Sequence, residues 1–323
     1  MRKVTVISSF FIGLSAAFPL NASQLFISLE KDNAVLVLDR ANQYEKIASI
    51  PVNEQPRALK FSPDYKQLYV ACGDGNTIDV IDVQEKRVVK SLDVGEEPEI
   101  FDLSPDGKTL YVSNEDDGEL TIFDIDNETA IAKIEVGEEP EGVLVSHDAT
   151  RVYVTSEVAN MVHVVDVSTH ELLANIVVGN RPRRFALTQD GKTLFVSNEI
   201  GGTVSVIDTE TFTVTRELSF TPKGFRPEQI TPVDLLLTKD EKTLYVTLGR
   251  ANHVAVVAMA DFSVTDYILV GQRAWGLALS PDEQFLYVAN GLSDDMSIID
   301  AKTHKVLRSL PVGRVPHSIV IAP

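Results

Sequence analysis

From Gly95 to Val136 short apolar runs alternate with polar turns: GEEPEIFDLSPDGKTLYVSNEDDGELTIFDIDNETAIAKIEV. A loop with Gly-x-x-Pro leads into an alternating apolar run and then a Ser-Pro-Asp-Gly turn. Three more apolar runs follow: one of the Leu-Tyr-Val-Ser-Asn type, one of the Val-x-Val-Ile-Asp type, and a last one. The pattern recurs along the chain. The turn aspartate falls at Asp64, Asp106, Asp148, Asp190, Asp240 and Asp282, in steps of 42, 42, 42, 50 and 42. Four strand-length runs per period of about 42 residues predict a β-propeller.

Whole copies begin at Asn53, Gly95, Gly137, Gly179, near Lys223 and at Gly271. Before them, Leu25–Leu29, Ala34–Asp39 and Lys46–Val52 match the second, third and fourth strands. After them, Gly313–Pro323 holds only a loop and a first strand. Three strands at one end and one at the other complete a blade. The expected fold is therefore all-β: a seven-bladed ring over residues 23–323, closed by pairing the chain ends and so hiding sheet edges.

Turn chemistry agrees. Proline at the second turn position presets φ, and glycine at the fourth tolerates positive φ. Tyr65, Ala149, Glu241 and Glu283 replace that glycine, so those turns are expected to be strained or of another type. The turn aspartates suit hydrogen bonds to nearby backbone N–H groups. Asp39, Asp82, Asp124, Asp166, Asp208 and Asp300, which end third strands, read the same way.

Charge and composition narrow the partners. The net charge is −18, which argues against nucleic acid. Arg2 and Lys3, the apolar run from Val4 to Leu20 and a small residue at Ala22 read as a signal peptide over residues 1–22. Its removal leaves 27 basic against 47 acidic residues, a charge of −20. The alternative is an uncleaved anchor. The single cysteine, Cys72, permits no internal disulfide and reads as a small buried residue.

Strands alternate in direction, so the loop before each first strand and the loop between the second and third strands share one rim. The residues after the proline position start the innermost strands: Arg57, Glu99, Glu141, Arg183, Glu228, Trp275 and His317. Glu30, Glu115, Glu157 and Glu199 join them from the second loop. Just before the proline stand Gln55, Glu97, Glu139, Arg181, Arg226, Arg273 and Val315. Acidic residues thus crowd two neighbouring blades, and arginines follow. The long copy inserts five residues, roughly Gln229 to Val233, as a candidate lid or only a wider turn. Among the histidines, only His317 takes a channel position.

Cys-x-x-Cys-His is absent, so no haem is covalently attached. His-Glu-x-x-His, EF-hand, phosphate-loop and Gly-x-Ser-x-Gly patterns are absent too. Glu and His at one mouth suit a divalent metal or acid–base hydrolysis.

The Leu-Tyr-Val-Ser-Asn and Ser-Pro-Asp-Gly-Lys stretches resemble YVTN-type β-propeller repeat proteins. Pro56–Asp82, Glu199–Asp208, Phe225–Val257 and Val270–Tyr287 resemble the propeller family associated with catabolism dependent on pyrroloquinoline quinone (PQQ). That resemblance implies a periplasmic, seven-bladed protein linked to PQQ-dependent alcohol oxidation, and supplies no catalytic residues. His317 stands where the family is expected to carry an aromatic residue.

These readings give three expectations. The first is a non-enzymatic periplasmic accessory protein that docks a dehydrogenase, a transport component or a small carboxylate such as PQQ. Its contacts would be Arg57, Glu99, Glu141, Arg181, Arg183, Arg226, Glu228, Arg273, Trp275 and His317, with arginine forks suited to carboxylates. The second is a lactonase-like or lyase-like enzyme at the same mouth. Glu157 and His317 would be its acid–base pair, and Glu30, Glu115 and Glu157 its metal ligands, with calcium left open. The third is a structural interaction module.

Overall fold

The computed structural model describes residues 24–322; the expected signal peptide lies outside them. Twenty-eight strands, β1–β28 in chain order, form seven four-stranded antiparallel sheets. Blade 1 joins the chain ends in the order β28 (Pro316–Ile321), β1 (Gln24–Leu29), β2 (Ala34–Asp39), β3 (Glu45–Pro51). Leu25 pairs with Ile321, Phe26 with Val320 and Ile27 with Ile319. Blades 2 to 7 take the remaining strands in consecutive fours. The ring and its closure are those the repeat predicts.

Burial explains the strand composition. In blade 3 the middle strands β9 (Thr109–Asn114, TLYVSN) and β10 (Glu119–Asp124, ELTIFD) are buried along most of their length. Their neighbours are other blades on both faces, so both alternating sets must be apolar or hydrogen-bonded. The outer strand β11 (Thr129–Glu135) keeps an alternating, mostly exposed pattern. Apolar clusters run from blade to blade. One joins Tyr69 and Ile78 of blade 2 to Phe101 and Ile122 of blade 3 and Val143 and Val154 of blade 4. Cys72 is fully buried within such a cluster, as a small residue should be.

The turn aspartates act locally. Asp64 Oδ1 accepts from Ser62 Oγ at 2.7 Å and from Lys66 N at 3.1 Å. These bonds, led by the one from Ser62, hold its carboxyl down at about 2. The same device recurs at Asp106, Asp148, Asp190, Asp240 and Asp282. The glycine position is left-handed whatever occupies it: φ is 70° at Gly107 and Gly191, 58° at Tyr65, 54° at Ala149, and 52° at Glu241 and Glu283. The four substituted turns thus keep the left-handed geometry and carry a residue that geometry disfavours.

Candidate functional site

Two constant devices build the mouth of the channel. The residue before the proline position is left-handed in six blades: φ is 59° at Gln55, 43° at Glu97, 51° at Glu139, 55° at Arg181, 60° at Arg273 and 52° at Val315. Five of these residues donate their N–H to a side chain of the preceding blade. Gln55, Glu97, Arg181 and Arg273 donate to Asn33, Asn76, Asn160 and Asn252, and Val315 to Asp294, at 2.9–3.2 Å. The second device is a bulge just after the proline. Pro56 pairs with Cys72 but Leu59 with Val70, and the register shifts likewise at Pro98, Pro140, Pro182 and Ala274. Bulges re-aim side chains. The carbonyl of the residue after the proline position is then tied to the blade before it. Ser28 donates to Arg57 O, Ser113 to Glu141 O, Thr155 to Arg183 O and Thr247 to Trp275 O, at 2.6–3.2 Å. Frame and tether recur in most blades; the side chains they hold differ from blade to blade.

Those side chains and their neighbours on the mouth loops form a belt of ion pairs. Arg183 lies at its centre and is 5% exposed. It pairs with Glu157, with Glu141 at 3.4 Å and with Glu199 at 3.7 Å. Arg184 reaches Glu141 at 3.2 Å, and Arg57 pairs with Glu99. Arg181 reaches Glu157 at 2.5 Å, and Arg273 reaches Glu199 at 2.8 Å. The Arg183 and Arg273 guanidinium carbons stand 5.3 and 4.5 Å from the Trp275 ring centre. Burial opposes charge on Arg183, but the surrounding Glu141, Glu157 and Glu199 carboxylates outweigh it and hold the guanidinium above its usual range. Glu141 is held below its usual range: burial pushes it up, and Arg183, Arg184 and Arg57 more than reverse that. Glu157 goes the other way. Burial, helped by the Glu141 charge, lifts it to about 7 against the pull of Arg183 and Arg181.

Above the belt lies a cup of about 330 Å³, lined by Glu30, Arg57, Glu97, Glu115, Arg181, Arg183, Glu199, Arg250, Arg273 and Trp275. A wider funnel of about 920 Å³ opens at the other end of the channel, among the Ser-Pro-Asp-Gly turns, lined by Phe61, Leu103, Val145, Leu236, Leu279 and Ile319 among others. The upper cup holds the dense set of ionisable groups.

Several sequence-based placements need correction. Glu228 is not in the innermost column. It sits exposed in a 3-10 helix, Pro227–Gln229, with exposed Arg226 at its N-cap. Leu235 pairs with Val246 as Leu59 pairs with Val70, so Val233 holds the place that Arg57 holds in blade 2. The five-residue insertion pushed the proline out of register with the strand. Nor is it a lid: Ile230, Thr231, Pro232 and Val233 are buried, and Arg250 N donates to Thr231 Oγ1 at 2.8 Å. Glu30, Glu115 and Glu157 are not gathered as metal ligands. Glu30 pairs with Lys31 at 3.3 Å, and Glu157 is held by Arg181 and Arg183. The carboxylates that do meet are Glu97, Glu99 and Glu115, one oxygen from each lying within 4.8 Å of the others.

Glu157 and His317 do not meet as an acid–base pair either. His317 packs on Trp275, with ring centres 5.4 Å apart, and is buried. Burial first, then the charges of Arg184, Arg57 and Arg183, push its pKa well below the ordinary value. The two-walled picture of the rim also changes: Glu157 and Glu199 stand among the arginines, and Arg57 stands against the acidic side. Sequence reasoning missed Arg250 altogether. It follows a glycine in a loop where Asp74, Asp116, Val158, Ile200 and Leu292 stand in other blades, and that column carries no shared chemistry.

Two family models match parts of the chain, each covering less than half. Residues 170–310 match the lactonase family described as a 7-bladed beta-propeller. Residues 23–151 match the YNCE-like beta-propeller family. None of the curated proteins matches. Solved structures match over most of the chain. A periplasmic gluconolactonase of Pseudomonas aeruginosa, PpgL, is 20% identical, covering 93% of this chain and 99% of its own at a TM-score of 0.78. A putative 6-phosphogluconolactonase of Bacteroides uniformis is 13% identical over the same shares, with a TM-score of 0.77. Hydrazine synthase of Kuenenia stuttgartiensis is 21% identical over 81% of this chain and 88% of its own, with a TM-score of 0.71. At such identities these likenesses show the fold alone, and one fold hosts many functions. The lactonase match nonetheless corrects the leading expectation. It favours the lactonase-like alternative, and none of these matches is PQQ-linked, so the reading as a non-enzymatic PQQ-linked binding protein is withdrawn. Among the described residues no helix is long and apolar enough to cross a membrane. The chain is a seven-bladed β-propeller, matched in its second half by a lactonase model and in its first by a YNCE-like one.

Proposed function

We propose that the cup is the active site of a lactonase-like hydrolase, acting in the periplasm after removal of the apolar N-terminal segment. One observation carries this reading. Glu97 and Glu115, both half-buried and free of ion pairs within 4 Å, line the same cup as Arg181, Arg250 and Arg273 beside Trp275. Lactone hydrolysis needs that division of labour. Water adds to the ring carbonyl, and a carboxylate takes its proton. Negative charge grows on the carbonyl oxygen, where a guanidinium stabilises it. The C–O bond to the ring oxygen breaks, and that oxygen receives a proton to become the hydroxyl of a hydroxy acid. Burial, with the nearby Glu115 and Asp116 charges, lifts Glu97 above the ordinary carboxylate range, which makes it a stronger base. Trp275 offers an apolar face for a ring. The lactonase match and the gluconolactonase neighbour support the choice of substrate class.

Purified protein assayed against glucono-δ-lactone and other hydroxylated and aliphatic lactones, with acid release followed by a pH indicator, tests this. Arg273→Ala should lower kcat by ~10²–10³-fold, the usual effect of removing one oxyanion donor. Wild-type protein that opens no lactone faster than buffer, or an unchanged Arg273→Ala variant, would overturn the reading.

A further inference from the structure

Glu97 and Glu99 flank Pro98 at the start of the first strand of blade 3, Glu115 follows its second strand, and one carboxylate oxygen from each lies within 4.8 Å of the others. A cluster of acids on a wet rim would mean little. Here one member is wholly inaccessible to solvent: Glu99 has 0% exposure. One of its oxygens takes the Arg57 guanidinium, and the other, Oε1, has no hydrogen-bond partner. A buried acceptor without a partner is destabilising, the more so when charged. Something positive belongs beside it.

We propose that Glu97, Glu99 and Glu115 bind one divalent, oxygen-preferring cation of the calcium, magnesium or manganese class. The charge balance fits. Three carboxylates and the Arg57 guanidinium leave two negative charges, which one divalent ion neutralises. The donors fit as well. All are carboxylate oxygens, with no sulfur or imidazole, the set that hard cations select. Three protein oxygens fill fewer than the six positions such ions take, so water and a ligand oxygen can complete the shell. Glu97 and Glu115 line the cup, so those open positions face the space a substrate would occupy.

The inference deepens the hydrolase reading, since a cation held by Glu97 and Glu115 would take over the water activation that a free carboxylate performs in that reading, but its test needs no substrate. Chelator-treated protein is titrated with calcium, magnesium and manganese by calorimetry, and with terbium by sensitised luminescence. One cation per chain is expected. Glu115→Gln should weaken binding by at least about tenfold, since losing even an indirect support costs a metal site that much. Glu97→Gln/Glu115→Gln should abolish it, while Asp126→Asn, at an exposed turn of the same blade, should change nothing. Circular dichroism checks that each variant is folded. Failure of all cations to bind folded wild-type protein would overturn the proposal. Binding that survives the double substitution would also overturn it, by placing the ion elsewhere. Lactone hydrolysis measured with and without chelator separates the two readings: turnover unaffected by chelator would leave the hydrolase standing and the cation without a role in it.

Discussion

The two ends of the channel solve the same problem in opposite ways. At the turn end six of the seven blades repeat one local device, an aspartate that accepts from the hydroxyl two residues before it and from backbone N–H groups two residues on. At the mouth the repeated part is only the frame: a left-handed residue, an N–H held by the neighbouring blade, and a bulge. On that frame the innermost column carries Arg57, Glu99, Glu141, Arg183, Val233, Trp275 and His317 in turn. Repetition marks what holds the ring. Departure from repetition marks where chemistry can be placed.

The sharpest way to break this comparison is to remove one charge at each end. Arg183→Ala should leave Glu141, Glu157 and Glu199 without their common partner inside the belt. Removing one partner of a buried ion pair costs about 3–5 kcal/mol, and the upper part of that range is reduced here because Arg184, Arg181 and Arg273 still reach the same carboxylates. Asp64→Asn, at an exposed turn, should cost no more than about 1 kcal/mol, since the amide oxygen can still accept from Ser62. Denaturant unfolding of both variants measures the gap. Equal losses would mean that the belt is an ordinary set of surface pairs.

The fold was legible because its signal is repeated. Six copies of one turn fix the period, and three strands plus one fix the closure. The site was legible only where it obeyed that period. Arg57, Glu99, Glu141, Arg183, Trp275 and His317 were placed correctly because the residue after the proline position stays in register. Glu228 was misplaced because the insertion moved its proline away from the strand start. The grouping of Glu97 with Glu99 and Glu115 was not legible, because both loops of a blade meet at the mouth and the repeat says nothing of side-chain reach. The pairing of Arg183 with acids from two blades likewise depends on the curvature of the ring.

A smaller effect comes from protons in the belt. Glu157, facing Arg183, Arg181 and Glu141, is raised from 4.5 to about 7 in the fold. The folded state therefore holds its proton more tightly than the unfolded chain. That contribution is complete below about pH 4.5 and is lost as the pH rises through about 7. His317, facing Arg184, Arg57 and Arg183, is depressed instead, so stability is lost as the pH falls below its ordinary 6.5 and the unfolded chain takes up the proton. The two act in opposite directions. Melting temperature against pH should pass through a maximum, with Glu157→Gln flattening the alkaline limb and His317→Gln the acid limb. The turn aspartates cannot produce this profile, because theirs are depressed carboxylates whose titration lies far more acidic.

The smallest effect tests whether the left-handed residues carry strain equally at both ends. Ala149 takes the glycine position of its turn at φ 54°, where Gly107 and Gly191 stand in other blades at 70°. A left-handed backbone costs an L-residue roughly 1–2 kcal/mol relative to glycine. Ala149→Gly should therefore relieve that strain, offset by the lost contact of a half-buried methyl and by the freer unfolded chain. The net gain should be at most about 1 kcal/mol, read as a higher melting temperature. Arg181 has nearly the same φ, 55°, at the mouth. Arg181→Gly relieves the same strain but removes the partner of Glu157 at 2.5 Å. It should lower stability despite the easier backbone, because Glu157, 5% exposed, then keeps only Arg183 to balance its charge. A gain in both variants would mean that the mouth residue is set by the frame alone; a gain at the turn with a loss at the mouth would separate a position that tolerates any residue from one chosen for its side chain.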